Sequence, residues 1–135
     1  MTLVVDASVA AQWILDEEGS GRANALRSER DLIAPSLIVA ELGNALWKAA
    51  TVMGFSENDA LSAVRAILVP FNRIIPLEDL RQRALEIAIE LKHPIYDCFY
   101  LALAERERAP LVTSDRRLLG QRKKIKGRGD QGTVM

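Results

Sequence analysis

The feature that most constrains this chain is an alternation. Short apolar runs of strand length, "LVV" at 3–5, "LIA" at 32–34, "NRIIPL" at 72–77 and "PLVTS" at 110–114, are separated by longer stretches with helical spacing of their apolar residues. A strand followed each time by a helix cannot close a hairpin; the helix carries the chain back, and the next strand runs parallel to the last. The expectation is an α/β domain, a central parallel sheet flanked by helices. At 135 residues and 49% hydrophobic content the chain can bury one such core without metal or disulfide staples, and its single cysteine, Cys98, permits no internal disulfide.

The helical stretches have recognisable limits. "VAAQWIL" runs toward Gly19 and Gly21, a second helix covers 20–28, and a third spans 36–50, with Pro35 before it and Ser36 as its potential N-cap. "SENDALSAVRAIL" begins with a capping box from Ser56 to Asp59 and places Ala60, Leu61, Val64 and Leu68 on one side. From Glu78 to Leu91 an amphipathic helix turns Leu80, Ala84, Ile87, Ala88 and Leu91 inward until His93-Pro94 breaks it. The segment from Tyr96 to Arg108 is apolar on nearly every side, as a buried helix would be. No linker, repeat or low-complexity block interrupts residues 1–120, so these form one domain and 121–135 a basic, flexible tail.

A net charge of zero conceals an uneven distribution. Residues 1–115 hold 11 Lys+Arg against 17 Asp+Glu, whereas 116–135 hold seven basic residues and one acid, Asp130. Such an end is either a solvated tail or an arm that contacts phosphates, where Arg116, Arg117, Arg122, Lys123 and Lys124 would gain affinity for nucleic acid by releasing its counterions.

Three acids sit against strongly apolar sequence: Asp6 in "TLVVDAS", Asp97 in "PIYDCFYLALAE" and Asp115 in "PLVTSD". In a parallel sheet, ligands collect outside the carboxyl ends of the strands, where the following helices begin and favour negative charge. Asp6 and Asp115 each close a strand, and Asp97 lies in the first turn of the buried helix, so all three belong to that edge. Glu41 is a fourth candidate, since with Asn44 and Lys48 it draws one polar stripe along an otherwise apolar helix. Singly, each Asp reads as an N-cap and the stripe as a face turned to water. Together, carboxylates about 4 Å apart repel by on the order of 4 kcal/mol at an effective dielectric near 20, a cost that hard divalent cations remove.

The stretches "VVDASVAAQWIL", "APSLIVAELGNAL", "YDCFYLALAE" and "LVTSDRRL", in this order and spacing, resemble those of PIN-domain proteins, and more narrowly of VapC-type toxin ribonucleases from toxin–antitoxin pairs. The resemblance covers residues 3–119. It implies a PIN-like three-layer sandwich and a Mg²⁺- or Mn²⁺-dependent endoribonuclease whose acidic positions match Asp6, Glu41, Asp97 and Asp115. Ser8 and Asn44 match positions that support the acids, with Thr113 or Ser114 in a similar role. It also implies a homodimer and a VapB-like antitoxin. That partner would lie over the surface near helices 8–15 and 36–50 and insert an Arg or Lys among the acids. Two departures stand out. No further acid follows Asp115 closely, and "GQRKKIKGRGDQGTVM" lacks the apolar residues of the final strand such proteins commonly have.

Other chemistries lack their parts. Cys98 reads as a core residue and His93 as a loop residue; there is no phosphate-binding glycine loop, and Ser8 stands where a phosphoaspartate phosphatase has a second Asp. The run Asp16-Glu17-Glu18 reads as a solvated helix end, and "RGD" at 128–130 as coincidence. The alternative function is a non-catalytic module that keeps the fold to bind RNA or protein. No apolar run reaches the roughly 18 residues of a membrane span, and no signal peptide opens the chain, so a cytoplasmic location is the simplest expectation. The aromatics Trp13, Trp47, Phe55 and Phe71 are the candidates for a self-association patch.

Overall fold

In a computed structural model of the chain, residues 1–15, 19–125 and 132–134 are described. The strands are β1 (Thr2–Val5), β2 (Asp31–Pro35), β3 (Arg73–Ile75), β4 (Leu111–Thr113) and β5 (Gly132–Val134). The helices are α1 (Ala7–Leu15), α2 (Gly19–Glu29), α3 (Leu37–Val52), α4 (Glu57–Ala66), α5 (Arg81–Leu91), α6 (Ile95–Glu107) and α7 (Arg116–Lys124). The strands form one sheet in the order β3-β2-β1-β4-β5, every pair parallel, so the α/β expectation holds.

Side-chain alternation along the strands divides the core into two layers. Leu3 and Val5 of β1, Leu32 and Ala34 of β2 and Val112 of β4 point to one face, where they meet Val9 and Trp13 of α1, Ile38, Leu42 and Leu46 of α3, Ile67 and Phe71. Val4, Ile33 and Leu111 point to the other, against Ala84 and Ile87 of α5, a run of α6 from Cys98 to Ala104, and Leu118 of α7. Helices therefore cover both faces of the sheet, which makes the three-layer sandwich. A parallel sheet buried on both sides needs apolar residues at consecutive positions, which is why "LVV" and "LIA" read as unbroken runs.

Several local expectations change. The helix expected from Glu78 starts at Arg81, preceded by a 3-10 turn over Leu77–Asp79. Ser36 forms no side-chain cap; its backbone N–H is engaged with the Ile75 carbonyl at 2.9 Å. Ser56 does cap α4, accepting from Asp59 N at 3.0 Å, but the apolar side of that helix is not core: Leu61, Val64 and Leu68 stay exposed. Of the four aromatics, Trp13 and Phe71 are core residues with ring centroids 6.3 Å apart, Phe55 is half-buried, and only Trp47 is exposed, at 62%.

The C-terminal part also differs. Helix α7 runs through residue 120 to Lys124, so the expected domain boundary falls inside a helix, and Gly132–Val134 pair with β4 as an edge strand despite their low apolar content. Residues 16–18 and "RGD" lie outside the described residues.

Candidate active site

The strand order decides where a site can form. From β1 the chain builds outward through β2 to β3, then crosses back to place β4 on the other side of β1. The crevice between β1 and β4, at their carboxyl ends, is the point where the connections diverge. Asp6 follows β1 directly, Thr113 ends β4, and Ser114 and Asp115 follow it.

Asp6 is 6% exposed and held from both sides of the crevice. Its Oδ1 accepts from Ser8 Oγ at 2.6 Å and Val9 N at 3.2 Å, and its Oδ2 accepts from Thr113 Oγ1. Burial pushes its pKa up, and these donors pull in the opposite direction. Thr113, fully buried, also accepts from Asp115 N at 2.9 Å, and Ser8 Oγ accepts from Ser114 N at 3.1 Å. Two hydroxyls thus tie the end of β1 to the end of β4. The capping reading is correct as far as it goes: Asp6 receives Val9 N at the start of α1, and Asp115 receives Arg117 N at 2.9 Å at the start of α7.

Glu41 comes from α3, half-buried. Its Oε1 accepts from the hydroxyl of Tyr100 at 2.6 Å. Burial raises the Glu41 pKa, the Tyr100 hydrogen bond lowers it, and the charges of Asp97 and Asp6 raise it again. Asp6 and Asp97 therefore both lie within electrostatic reach of Glu41. Asn44 and Lys48 remain exposed, and among the described residues Asn44 has no hydrogen bond to an acid, so of the polar stripe only Glu41 turns inward. Asp97, on the first turn of α6, accepts from His93 Nε2 at 2.9 Å. Asp97 and Asp115 share a cavity of about 400 Å³ with His93, Arg117, Gln121 and Lys124.

Tyr100 is the site residue that sequence reasoning missed. It is 1% exposed, and burial together with the Glu41 charge drives its phenol far above the usual tyrosine range, so it remains a proton donor to Glu41 at any ordinary pH. The available signal was its place three residues after Asp97, one helical turn along the same face, within a stretch from Cys98 to Ala104 that is otherwise apolar. Cys98 is buried and its thiol is pushed up to about 11, first by burial and then by the Asp97 charge, which suits a core residue. The basic residues separate into two kinds. Arg116, Arg117, Lys123 and Lys124 are exposed, Arg117 lying 3.5 Å from Asp115, but Arg122 is 3% exposed and faces the interior, which removes it from the phosphate-contacting set.

Among the described residues, no three His, Cys, Asp or Glu side chains already converge at metal-binding distance. The donor set nonetheless fits a hard cation. All four candidates offer carboxylate oxygen, and Glu41 and Asp6 are raised by burial, with like-charge repulsion added at Glu41. Glu41, Asp97 and Asp115 each keep one oxygen not engaged in a hydrogen bond among the described residues.

Comparison with known proteins agrees with this geometry. The PIN domain family model matches residues 3–124. Ribonuclease VapC3 of Pyrobaculum aerophilum is 34% identical over 122 residues, 87% of this chain and 92% of that protein. The crystal structure of PAE2754 from Pyrobaculum aerophilum superimposes with a TM-score of 0.72 at 26% identity, covering 99% of this chain and 89% of that one. The structure of VapBC2 from Rickettsia felis, bound to a DNA fragment from the promoter, gives 0.73 at 16% identity over 100% and 99% of the two chains. The parallel sheet, the acids at its switch point and the family match together show that this chain is a member of the PIN-domain family with VapC proteins among its relatives.

Proposed function

We propose that the protein is a divalent-metal-dependent endoribonuclease acting as the toxin of a toxin–antitoxin pair. The observation that carries the reading is the set of four carboxylates, from the end of β1, from α3, from α6 and from the start of α7, two of them raised by burial. Kinship to a ribonuclease VapC supplies the substrate class.

Asp6, Glu41, Asp97 and Asp115 would hold Mg²⁺ or Mn²⁺, which when bound supplies charge neutralisation on a phosphate and an acidified water. The remaining work belongs to the chain. Ser8 and Thr113 fix Asp6 by donating to both its oxygens, and Tyr100 fixes Glu41. Glu41, raised by burial, is suited to accept a proton from the attacking water as an in-line displacement at phosphorus proceeds, leaving a 5′-phosphate and a 3′-hydroxyl. Arg116, Arg117, Lys123 and Lys124 on α7 lie beside Asp115, where they would hold flanking phosphates of the RNA.

Two surfaces are suited to partners. An apolar cleft of about 320 Å³ between α1, α2 and α4, lined by Trp13, Ile14, Ala63 and Ile67 among others, would receive an apolar segment of a VapB-like antitoxin. The exposed Trp47, Leu61 and Val64 on the α3–α4 side would pack against a second copy in a homodimer. A cytoplasmic location accords with an RNA substrate, and among the described residues no helix is long and apolar enough to cross a membrane.

The deciding experiment incubates the purified chain with structured RNAs in Mg²⁺ or in chelator. Discrete fragments carrying 5′-phosphates only with Mg²⁺, and their loss in an Asp97→Asn variant with an unaltered thermal melt, support the reading. Cleavage that persists in chelator or in the variant refutes it. RNA binding without cleavage under every condition would favour the non-catalytic binding module.

A further inference from the structure

His93 is the chain's one histidine, and as a loop residue next to a proline it drew no role from sequence. The structure places it differently. Helix α5 ends on Lys92 in the left-handed region, at φ 52°, and the His93 backbone N–H then returns to the Ala88 carbonyl at 3.1 Å. A left-handed turn of this kind satisfies the last carbonyls of a helix, and here it is made without glycine, against the steric preference of an L side chain. Pro94 follows at once as the cap residue of α6, its φ fixed by the ring. The His93 backbone is therefore clamped between two helices that pack against each other. Its ring, 24% exposed, reaches one turn along α6 to Asp97, with Nε2 at 2.9 Å from Oδ2.

An ionised carboxylate can only accept, so Nε2 must carry the proton of this hydrogen bond. The bond uses Oδ2 and leaves Oδ1 without a hydrogen bond among the described residues, and Asp97 lines the cavity it shares with Asp115. Asp97 itself is 39% exposed on a flexible two-torsion side chain, and His93 is its one hydrogen-bond partner among the described residues. The other acids have their own holders: Ser8 and Thr113 for Asp6, Tyr100 for Glu41, and the α7 backbone for Asp115.

We infer that His93 is a positioning residue, holding Asp97 in the orientation that binds the divalent cation. It touches neither substrate nor cation and acts through Asp97. This rests on the proposal that Asp97 is a cation ligand. Groups that orient a ligating carboxylate are worth about 10–100-fold in metal affinity, so removing the imidazole should weaken cation binding by about tenfold or more.

The test measures Mn²⁺ dissociation constants by the loss of the free-ion paramagnetic resonance signal, without RNA, for wild type, His93→Ala, His93→Gln, Asp97→Asn and the His93→Ala/Asp97→Asn double variant. Gln places an amide N–H near the position of Nε2–H. The expected pattern is about tenfold or greater weakening in His93→Ala and recovery of most of it in His93→Gln. In the Asp97→Asn background, His93→Ala should have no further effect. Circular dichroism melts establish that each variant is folded; if His93→Ala is not, His93→Leu, which keeps side-chain bulk without a donor, takes its place in both backgrounds. Wild-type binding that His93→Ala leaves unchanged or tightens overturns the inference alone, since the imidazole would then be inert or a competitor for Oδ2. Equal weakening by His93→Ala with and without Asp97 also overturns it, because the effect would not pass through the carboxylate. No Mn²⁺ binding by wild type overturns the metal reading and this inference with it.

Discussion

Replacing Tyr100 by Phe removes one oxygen from a residue that is 1% exposed and otherwise leaves its packing in place. The oxygen lost is the 2.6 Å donor to Glu41. A hydrogen bond to a charged acceptor contributes about 1.5–3 kcal/mol and one between neutral groups about 0.5–1.5 kcal/mol. Because Glu41 keeps partial access to water, a loss near 2 kcal/mol is expected when it is ionised and near 1 kcal/mol when it is protonated. At about 4 °C per kcal/mol for a chain of this length, the melting temperature should fall by about 8 °C at pH 8 and about 4 °C at the acid end.

The direction follows from linkage. Burial already raises the Glu41 pKa in the folded state, and Tyr100 is the hydrogen bond that restrains the rise. An acid raised on folding contributes stability that is present below its unfolded pKa and is lost as pH rises through the folded value. Removing the phenol raises Glu41 further, so the variant should lie closest to wild type in acid and separate from it as pH rises. In the same variant, Mg²⁺-dependent cleavage should lose its acid limb at a higher pH than wild type. Melts in matched buffers from pH 4 to pH 8 make the measurement. A destabilisation that is the same at every pH would refute the argument, because the hydroxyl would then serve packing and not the charge on Glu41.

Three further outcomes are expected. Thr113→Val keeps the shape of the buried side chain but removes the donor to Asp6 and the acceptor of Asp115 N; it should cost about 1–3 kcal/mol in a denaturant melt and weaken Mn²⁺ binding, and a neutral result would deny the hydroxyl a role in holding Asp6. Arg117→Ala with Lys124→Ala removes two exposed cations beside the Asp115 cavity and should reduce the slope of log affinity for single-stranded RNA against log salt by about 1.4, whereas an unchanged slope would place the RNA elsewhere. Trp47→Arg puts a charge in the exposed α3–α4 patch and should leave only monomer in sedimentation at micromolar concentration where wild type is dimeric; a dimer that survives this change does not use that face.

How far the sequence could be read depended on what each signal measures. "LVV" and "LIA" announced strands because a strand buried on both faces has nowhere to place a polar residue. The acids showed at strand ends because the sheet's carboxyl edge is also where helices start. By contrast, periodicity placed the apolar residues of α4 on one side but reports only that a face is apolar, not what covers it; Leu61 and Val64 are exposed in the single chain. Arg122 was counted with its basic neighbours because composition does not say which way a helix is rotated, and α7 turns it inward. Tyr100 and His93 stayed hidden for a related reason. Each acts on an acid through a contact that depends on side-chain direction at a helix corner or across 59 residues of sequence; helical spacing puts both near Asp97 but does not say which acid either would meet.

The hydrogen bond between Thr113 and Asp6 joins residues 107 positions apart, and β1, the middle strand of the sheet, has β4 as one of its two neighbours. At about 5–20 residues per second of synthesis, Asp6 waits roughly 5–20 s before Thr113 exists. Late in that interval the nascent chain has β1, β2 and β3 but not the strand that closes the crevice and brings in Asp115. Strand order thus acts as a clock: the cleft is finished only after the messenger has been read almost to the end of this stretch.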